Sequence, residues 1–347
     1  MASFSIAVIA GDGVGCEVVP EALRVLDRVA RLDYTHFDWG SDYYLRNGRM
    51  MPSDAIQTLA RFDAILLGAI GHPQIADNIT LNGLLLPIRR AFDQFANIRP
   101  AFLYPGVASP LANPGAIDMV VVRENTEGEY AQVGGFLYRD QPQEVAIQTG
   151  VFTRQGIERV VRAAFELARR RNKKKRVTSI TKSNAQGFSM VLWDRVFSSV
   201  AAEFPDISTD SLLVDAAAMN FVRRPASFDV VVGSNLFADI LSDLSAILVG
   251  SIGLAASANL DPTRQHPSMF EPVHGSAPDI AGRGIVNPLA MILSAAMMLD
   301  HLGLAEAARA MESAVAAVLA EGKIRTADLG GKSSTSEVTG AVIEKLR

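Results

Sequence analysis

The sequence predicts an α/β fold built around a largely parallel sheet, and three observations support this prediction. Short apolar runs rich in β-prone residues alternate with longer segments of helical spacing along almost the whole chain. The 347 residues are 49% hydrophobic and 20% charged, which allows a large buried core and, by length, about two domains. No internal repeat or low-complexity linker interrupts the alternation.

The individual elements follow from the spacing of their apolar residues. Helical spacing predicts helices over residues 16–31 and 153–171, and the Thr153 side chain could cap the second one. The apolar run 289–299 ends at Asp300, well short of the roughly 20 residues of a membrane span, and predicts a buried helix. The short apolar runs predicted as strands are residues 4–10, 64–67, 117–122, 144–151, 177–181, 208–214 and 229–233.

Two places in the chain are candidates for a crossing between domains. Asn97 and Arg99 precede Pro100, and a residue before proline is restricted to extended geometry. Residues 250–253 are the second candidate. A chain that crosses twice would build one domain from both termini and the other from the middle. Composition permits this division without requiring it.

The composition argues against several classes of function. A net charge of −4 lacks the basic excess of a general nucleic-acid binder. The single cysteine, Cys16, cannot form an internal disulfide and favours a cytoplasmic location. The N-terminal segment has no basic leader and breaks at Gly11, so no signal peptide is expected. Residues 169–176 are strongly basic, which is more typical of a solvated helix C-terminus than of a nucleic-acid patch on an acidic chain.

A glycine-rich turn follows the first predicted strand. It has the sequence Gly-Asp-Gly-Val-Gly over residues 11–15 and opens a helix, much like the dinucleotide-binding fingerprint. However, Cys16 stands where the third glycine belongs, and no convincing acidic residue follows at the expected distance. A tight structural turn is therefore as good an interpretation as a phosphate-binding loop.

Asp239 and Asp243 are candidate metal ligands. Their spacing of four places both carboxylates on one face of a predicted helix, where they repel unless a cation or an arginine lies between them. Hard oxygen ligands of this kind suit Mg²⁺ or Mn²⁺. Two solvated surface aspartates would be an equally good interpretation of this motif alone. Asp215, just past another predicted strand, is a third candidate because open sheets gather ligands at strand ends.

Three arginines are candidates for binding a substrate with two carboxylates. Arg89 lies in a helical segment, Arg99 at the first possible crossing, and Arg123 at the end of a very apolar strand. Guanidinium groups carry a fixed charge and can bind carboxylates in bidentate fashion. Arg90 is interpreted as a solvated neighbour of Arg89.

Two further motifs carry groups suited to catalysis and cofactor binding. Tyr130 ends the run Arg-Glu-Asn-Thr-Glu-Gly-Glu-Tyr, and Lys182 follows a predicted strand; near a metal they would form an acid/base pair. Residues 270–280 form a turn rich in small residues, whose backbone N–H groups could approach phosphates. In this turn Asp279 could accept hydrogen bonds from a ribose diol. Ordinary packing remains an alternative for each group, including His274.

Nearly the whole chain resembles the β-decarboxylating dehydrogenases, which act on isopropylmalate, isocitrate, tartrate and D-malate. The most specific segments are FDQFANIRP, VVRENTEGEY, TKSN, SNLFADILSD and FEPVHGSAPDIAG, all in the family's order. Within the family the chain is most similar to the branch that acts on tartrate and D-malate. That closer similarity rests on residues 39–44, NGRMMP at 47–52, FDQFANIRP and PGVASPLA at 105–112.

The resemblance implies an isopropylmalate dehydrogenase-like two-domain fold with a parallel-rich sheet, distinct from the Rossmann fold. Residues 1–98 with 250–347 would form the large, NAD-binding domain, and residues 99–249 the small domain with the metal, the catalytic residues and the dimer interface. The active unit would be a homodimer. Lys182 and Asp215 would reach each cleft from the partner subunit.

The resemblance also implies a role for each site residue. Tyr130 and Lys182 would be catalytic, and Asp215, Asp239 and Asp243 would bind Mg²⁺ or Mn²⁺; K⁺ is a further candidate cofactor. The residues that would bind the substrate are Arg89, Arg99, Arg123 and Asp215. Those that would bind NAD are His274, Gly275, Ser276, Ala277, Pro278, Asp279 and Asn287.

The expected activity is NAD-dependent oxidation of a small 2-hydroxy dicarboxylate, with decarboxylation of D-malate. One departure concerns residues 81–87, where the tartrate and D-malate branch is expected to carry a tryptophan, a serine and a lysine. Leu84, Leu85 and Leu86 could form an apolar wall there, which keeps 3-isopropylmalate as an alternative substrate. A catalytically silent regulatory or binding subunit is the alternative from another class. Such chains tend to lose a catalytic lysine, tyrosine or aspartate, and this chain keeps all of them.

Overall fold

The computed structural model describes residues 4–346. Its strands are β1 (Phe4–Gly11), β2 (Leu32–Phe37), β3 (Ala64–Ala69), β4 (Ala96–Phe102), β5 (Asp118–Glu124), β6 (Gly128–Leu137), β7 (Val145–Val151), β8 (Arg176–Thr181), β9 (Ser208–Leu213), β10 (Val230–Gly233), β11 (Ala256–Leu260) and β12 (Ser268–Pro272). Its α-helices are α1 (Gly15–Val29), α2 (Ser41–Asn47), α3 (Ala55–Leu59), α4 (Asp77–Thr80), α5 (Leu86–Ala91), α6 (Arg154–Arg171), α7 (Ser189–Ala201), α8 (Val214–Arg223), α9 (Asn235–Leu248), α10 (Leu289–His301), α11 (Ala305–Glu321) and α12 (Thr335–Lys345). A π-helical turn, Leu81–Leu85, joins α4 to α5, and 3-10 turns lie at Pro225–Ser227, Ile252–Leu254 and Ala327–Leu329.

Ten strands form one sheet in the order β2-β1-β3-β12-β11-β4-β5-β10-β8-β9. Within the described residues the pairing is parallel toward both edges, while β12, β11, β4 and β5 pair antiparallel in the middle. Strands β6 and β7 form a separate antiparallel hairpin. The predicted α/β fold with a parallel-rich sheet is confirmed. The antiparallel centre distinguishes it from the all-parallel order of a Rossmann fold.

Several local predictions are confirmed in detail. The Thr153 hydroxyl accepts a hydrogen bond from the Gly156 N–H at 2.9 Å and so caps α6. Helix α10 is buried along nearly its whole length, as its continuous apolar run predicts. Among residues 4–346, no helix is both long and apolar enough to cross a membrane.

The apolar side chains gather into three cores. One draws on residues from 95 to 249 and includes Phe165 and Trp193. The other two combine residues from both ends of the chain: one packs α1 against α10, α11 and α12, and the other surrounds Phe92. Ile98 of β4 packs against both the first core and the second. One continuous sheet therefore links the core of residues 95 to 249 with the other two cores, and the link is the strand pair β4–β11.

Ion pairs tie the basic segment at the end of α6 to residues at the starts of β5 and β10 and just before β9. Arg171 contacts Asp229 and Asp118 at 3.1 and 2.8 Å, and Arg169 contacts Asp206. The Lys174 ammonium donates to main-chain carbonyls in the segment before β10. These cations fasten the helix end to the strands.

Candidate active site

A cleft of about 220 Å³ lies at the carboxyl ends of β3, β5 and β12. The segments that follow the parallel strands β3 and β12 converge here, whereas β5 runs in the opposite direction and contributes Arg123. The cleft brings together many of the residues predicted from the sequence, which are Arg89, Arg99, Arg123, Tyr130, Asp239, Asp243, His274 and Gly275.

Arg99 and Arg123 are both buried and both bind Asp239. The Arg99 Nη1 atom lies 3.0 Å from Asp239 Oδ1, and Arg123 donates to the same oxygen. Arg123 also donates from Nε and Nη2 to Asn235 Oδ1, at 3.0 and 2.7 Å. Burial and the nearby charge of Arg99 lower the pKa of Arg123. Two buried cations thus share one carboxylate, a pairing that lets their charges remain inside the protein.

Asp239 and Asp243 lie one turn apart on α9 and reach the same guanidinium. The Asp243 Oδ1 atom lies 3.4 Å from Arg99 Nη1, so this arginine lies between the two carboxylates. Burial works against the charge of Asp239, but Arg123 and Arg99 outweigh it and lower the pKa of that carboxyl. Burial raises the pKa of Asp243, where Arg99 only partly compensates.

These two carboxylates suit a hard divalent cation. Within residues 4–346 the closest hydrogen-bond partner of Asp243 is Arg99, at 3.4 Å, and the Asp243 side chain is 56% exposed. Its oxygens are therefore available in the cleft, and carboxylate oxygens are the donors that Mg²⁺ and Mn²⁺ prefer. The described residues contain no group of three or more His, Cys, Asp or Glu side chains that could hold a metal. One chain thus supplies two of the expected ligands at one place.

Arg89 is paired with a carboxylate that the sequence analysis did not assign. Its Nη2 atom lies 2.5 Å from Glu271 Oε1, and both side chains are buried. Glu271 is a lone charged residue in the apolar strand β12, the same signal that singled out Arg123. Their partnership spans 182 positions and could not be inferred from local spacing.

Tyr130 lies beside the aspartates, where its hydroxyl donates to Asp239 Oδ2 at 3.1 Å. The Arg123 guanidinium lies over its ring, 5.2 Å from the centroid. Burial, and then the charge of Asp239, raise the pKa of the phenol, so it stays protonated at neutral pH. Arg90 is exposed and donates to the Tyr130 main-chain oxygen at 2.5 Å, which helps to hold the strand.

Lys182 and Asp215 lie outside this cleft. The Lys182 Nζ atom is 2.6 Å from Asp215 Oδ1, and this hydrogen bond lowers the pKa of the carboxyl. Lys182 follows β8, and Asp215 lies in the first turn of α8, after β9. Both strands are at the far edge of the sheet. The structure thus keeps this pair together but does not bring it to Asp239 within one chain.

One side of the cleft is apolar. Leu81, Leu85 and Leu86 line it together with Ile70. Leu84 does not belong to this wall: it is fully buried in the core around Phe92. The cause is the π-helical turn Leu81–Leu85, whose wider spacing turns Leu81 and Leu85 toward the cleft and Leu84 away from it.

The turn predicted to bind NAD borders the other side. His274 Nε2 is buried without a hydrogen-bond partner in the described part of the chain, and a side chain at Gly275 would meet no atom within 4 Å. Burial lowers the pKa of His274, so its ring is neutral at neutral pH. Pro278 and Asp279 are exposed, whereas Ser276 is buried and Ala277 carries a positive φ of 39°. An open backbone approach, an unused ring nitrogen and an exposed carboxylate fit a nucleotide.

Asn287 is placed differently from its neighbours in this set. Its side chain is buried, donates to Asp328 at 3.0 Å and accepts from the Leu289 N–H at 3.0 Å. It therefore fixes the start of α10. Any contact with a nucleotide would have to come from its main chain.

The glycine-rich turn at residues 11–15 packs against the turn predicted to bind NAD. The Val14 N–H donates to the Ser276 carbonyl at 2.9 Å, and a Cβ on Gly13 would lie 2.1 Å from that oxygen. The buried Asp12 carboxylate accepts from Ser41 and from the Gly71 N–H, which fixes the turn. Of the two interpretations left open by the sequence, the geometry favours the tight structural turn.

Comparison with known proteins places this geometry in a family. Residues 5–342 match the model of the isocitrate/isopropylmalate dehydrogenase family. A probable tartrate dehydrogenase/decarboxylase of Bacillus subtilis (strain 168) is 51% identical, over 100% of this chain and 99% of its own. The D-malate dehydrogenase (decarboxylating) of Escherichia coli (strain K12) is 48% identical, over 99% and 98%.

The fold is shared with solved structures as well. The crystal structure of isocitrate dehydrogenase from Methylococcus capsulatus superposes with a TM-score of 0.92 at 36% identity, covering 99% of both chains. Sequence and fold agree along the full length of the molecule. The chain belongs to the isocitrate/isopropylmalate dehydrogenase family.

Proposed function

We propose that this chain is an NAD-dependent, divalent-metal-dependent dehydrogenase that oxidises tartrate and D-malate and decarboxylates the product formed from D-malate. The observation that carries the proposal is the charge of the cleft. Three buried arginines, Arg89, Arg99 and Arg123, face a space also lined by Asp239, Asp243 and Glu271. Tartrate and D-malate are the substrates named for the relatives at 48 to 51% identity.

The charges match a small dicarboxylate. The three arginines are balanced by the three carboxylates within one chain. A divalent cation bound at Asp239 and Asp243 would leave two positive charges, which is the charge that a dicarboxylate dianion neutralises. In this arrangement the arginines bind the substrate carboxylates, and Asp215 of the partner subunit completes the metal ligands and lies near the substrate.

Side chains of this protein carry out the proton transfers. Bound Mg²⁺ or Mn²⁺ would polarise the 2-hydroxyl oxygen and later the carbonyl oxygen. The hydride acceptor for C2 would be supplied by NAD. Lys182 of the partner subunit takes the hydroxyl proton. Loss of the β-carboxylate as CO₂ leaves its electron pair in an enolate, to which Tyr130 gives a proton at carbon.

The proposal includes NAD rather than NADP as cofactor. Asp279 is exposed in the turn 274–279, where a carboxylate would accept hydrogen bonds from a ribose diol and repel a 2′-phosphate. His274 and Gly275 would lie against the nucleotide. K⁺ is retained as a candidate additional cofactor, with no residue assigned to it.

We also propose a homodimer with shared sites and the domain division at residues 98 and 250. The separation of the core spanning residues 95 to 249 from the others supports the division. Exposed apolar side chains support the dimer. Phe188, which follows Lys182 closely in the sequence, is 95% exposed. The β6–β7 hairpin also exposes Phe136 and Ile147. Large apolar side chains that are exposed together suggest a protein–protein interface. The reducing cytoplasm, inferred from the lone cysteine, is part of the same proposal.

An initial-rate panel tests the function. Purified enzyme with Mn²⁺ is assayed with D-malate, L-tartrate, meso-tartrate, 3-isopropylmalate and isocitrate, each with NAD and with NADP. We expect D-malate and tartrate to be oxidised with NAD, pyruvate and CO₂ to form from D-malate, and NADP to be at least about tenfold poorer. Isocitrate should be poor because the wall of Leu81, Leu85 and Leu86 offers its extra carboxylate no partner.

The same panel decides between the alternatives. A kcat/KM for 3-isopropylmalate tenfold or more above that for D-malate, about 1.4 kcal/mol, would assign the apolar wall to an alkyl substituent and make the enzyme an isopropylmalate dehydrogenase. No turnover of any of the five substrates, with ligands still bound, would identify a silent binding subunit. Equal use of NADP would mean that Asp279 does not face the ribose.

A further inference from the structure

Buried amide side chains connect two of the substrate-facing arginines through the middle of the sheet. We propose that Asn259 is a positioning residue that fixes Arg89 and Arg99 relative to each other. The identity of the ligand they bind, a dicarboxylate, rests on the proposed function. The connection itself is a continuous run of hydrogen bonds, called here the amide relay: Arg99, Asn97, Asn259, Glu271 and Arg89.

The sheet register creates the relay. Asn97 and Asn259 are direct partners across the antiparallel pair β4–β11, so their side chains share one face of the sheet. Arg99 lies two positions beyond Asn97 and points to that same face. Glu271 reaches it from β12, the next strand in the sheet. Strand β4 is distant in sequence from β11 and β12, and it meets them through the pair β4–β11, which joins the cores.

On the Arg99 side, every link of the relay is short and buried. The Arg99 Nε atom donates to Asn97 Oδ1 at 2.7 Å, and Asn97 Nδ2 donates to Asn259 Oδ1 at 3.0 Å. Asn125, which follows β5, donates to the same Asn259 oxygen at 2.9 Å. Asn97 and Asn259 are wholly inaccessible to solvent. No water can replace these bonds, so the amides hold the Nε atom of Arg99, while Asp239 and Ser242 hold its Nη1 atom.

On the Arg89 side, one carboxylate oxygen receives two donors. Asn259 Nδ2 donates to Glu271 Oε1 at 2.8 Å, and Arg89 Nη2 donates to the same atom at 2.5 Å. Asn259 Nδ2 also donates to the Met269 carbonyl at 3.3 Å. The amide therefore fixes the oxygen that orients Arg89.

The hydrogen-bond partners of Asn259 determine which way its side-chain amide is oriented. Asn259 uses both capacities of its oxygen and both of its N–H bonds, so its hydrogen bonding is complete. A flipped amide would place N–H groups against the donors of Asn97 and Asn125, and oxygen against Glu271. Since only one orientation satisfies all four neighbours, a change at Asn259 disturbs both Asn97, which holds the Nε atom of Arg99, and Glu271, which holds Arg89. Fixed supporting groups of this kind keep binding groups in their productive geometry.

The test uses an isosteric substitution. Asn259→Asp keeps the acceptor for Asn97 and Asn125 but places a second carboxyl beside Glu271. We expect the KM and the Kd for D-malate with Mn²⁺ to rise about tenfold or more, while kcat falls less than about threefold, because ground-state binding is what the arginines lose. The KM for NAD should not change.

A compensating variant reports on the relay itself. In Asn259→Asp combined with Glu271→Gln, the repulsion between two carboxyl groups is removed. Because Asn259 and Arg89 contact the same Glu271 oxygen, the glutamine must rotate so that its Nε2 donates to the new carboxylate and its oxygen accepts from Arg89. We expect the KM for D-malate to fall at least about threefold from that of the single variant, a partial rescue that general loss of stability would not give. If Asn259→Asp fails to fold, Asn259→Ala removes the four bonds without adding charge and takes its place.

Thr339→Val is the matched control. Within residues 4–346 this buried hydroxyl donates only inside α12, to the Thr335 carbonyl at 3.2 Å, so its loss should lower the Tm without changing the KM for D-malate. An Asn259→Asp enzyme with an unchanged KM and Kd for D-malate, or with an equal rise in the KM for NAD, would overturn the proposal. So would a double variant no better than the single one.

Crystal structures separate this proposal from the proposed function. Displaced Arg89 and Arg99 side chains in Asn259→Ala support the relay even if the wild-type enzyme turns over none of the dicarboxylates. Unmoved arginines overturn the relay even if D-malate proves to be the substrate.

Discussion

Asp239 and Asp243 lie on the same face of α9, yet their oxygens differ in how freely they can bind a cation. Both oxygens of Asp239 already have partners, which are two arginines on one side and Tyr130 on the other. Among the described residues, Asp243 has only a long contact with Arg99, and its side chain remains more than half exposed. A cation entering the cleft would therefore meet Asp243 as its most available ligand.

Asp243→Asn should therefore impair metal binding more than stability. We expect Mn²⁺ affinity to fall about tenfold or more and kcat/KM for D-malate to fall at least about a hundredfold, with little change in Tm. Calorimetric titration with Mn²⁺ and initial rates measure the two effects. Glu203→Gln, which also removes an exposed carboxylate that contacts an arginine, should change neither. Near-normal wild-type activity in excess chelator would falsify the metal role.

At the scale of single residues, the sequence identified charged groups by their unusual surroundings. Arg123 ends an apolar strand and Asp239 begins a spaced carboxylate pair, and both line the cleft. Asn259 and Glu271 were not assigned, because their importance comes from the register of strands distant in the chain. Leu84 was assigned to the apolar wall because the sequence does not show that its helix contains a π turn.

At the scale of elements, the glycine-rich turn after β1 and the turn 274–279 form one unit. Gly13 has a φ of +52°, and its missing side chain leaves room for the Ser276 carbonyl. The Val14 N–H then binds that carbonyl. The shape of the turn proposed to bind NAD thus depends on an element about 260 positions away in sequence.

Gly13→Ala tests this dependence. The new Cβ would lie 2.1 Å from the Ser276 oxygen, so the turn 274–279 must move. We expect the KM for NAD to rise about tenfold while the KM for D-malate changes less than about threefold, with a loss of about 1–3 kcal/mol in stability. Initial rates and thermal unfolding measure these effects.

Gly48→Ala is the control for backbone strain in that experiment. Gly48 has a φ of +69°, but a Cβ there would meet no atom within 4 Å. It should lower the Tm without changing either KM. A similar rise in the KM for NAD in both variants would mean that strain, rather than the contact with Ser276, causes the effect.

Most elements that sequence patterns predicted well contain buried apolar runs. Strands β1, β3, β5, β8 and β10 and helices α1, α6 and α10 lie within a few residues of their predicted positions, and so do the more exposed strands β7 and β9. Strands β2, β4, β6, β11 and β12 were not predicted as strands. In β4 buried apolar residues alternate with Asn97 and Arg99, because one face of the strand lines the polar cleft. The three strands that carry the amide relay were thus hard to recognise from hydrophobic pattern, whereas β3 and β5, which also line the cleft, were recognised.

At the scale of the whole molecule, one chain holds two incomplete parts of the proposed site. Tyr130, Asp239 and Asp243 line the cleft, while Lys182 and Asp215 form their own ion pair elsewhere on the chain. Helix α8, which carries Asp215, and helix α9, which carries Asp239 and Asp243, expose apolar residues, among them Met219, Val222 and Ile247. A second copy packed on this surface would bury those residues and could bring its Lys182 to the first cleft.

Mixing two inactive enzymes tests this sharing. Tyr130→Phe and Lys182→Met homodimers should each be nearly inactive, since every site would lack one proton-transfer group. If the chains of both variants are unfolded and refolded together at random, about half of the dimers are mixed. In each mixed dimer, one site pairs the intact Tyr130 of one chain with the intact Lys182 of the other, and the second site lacks both. About a quarter of wild-type activity should therefore return, by simple counting of sites in a two-fold dimer. Two differently tagged chains, purified through both tags, show whether mixed dimers form. Mixed dimers without activity would place Tyr130 and Lys182 of a working site on the same chain.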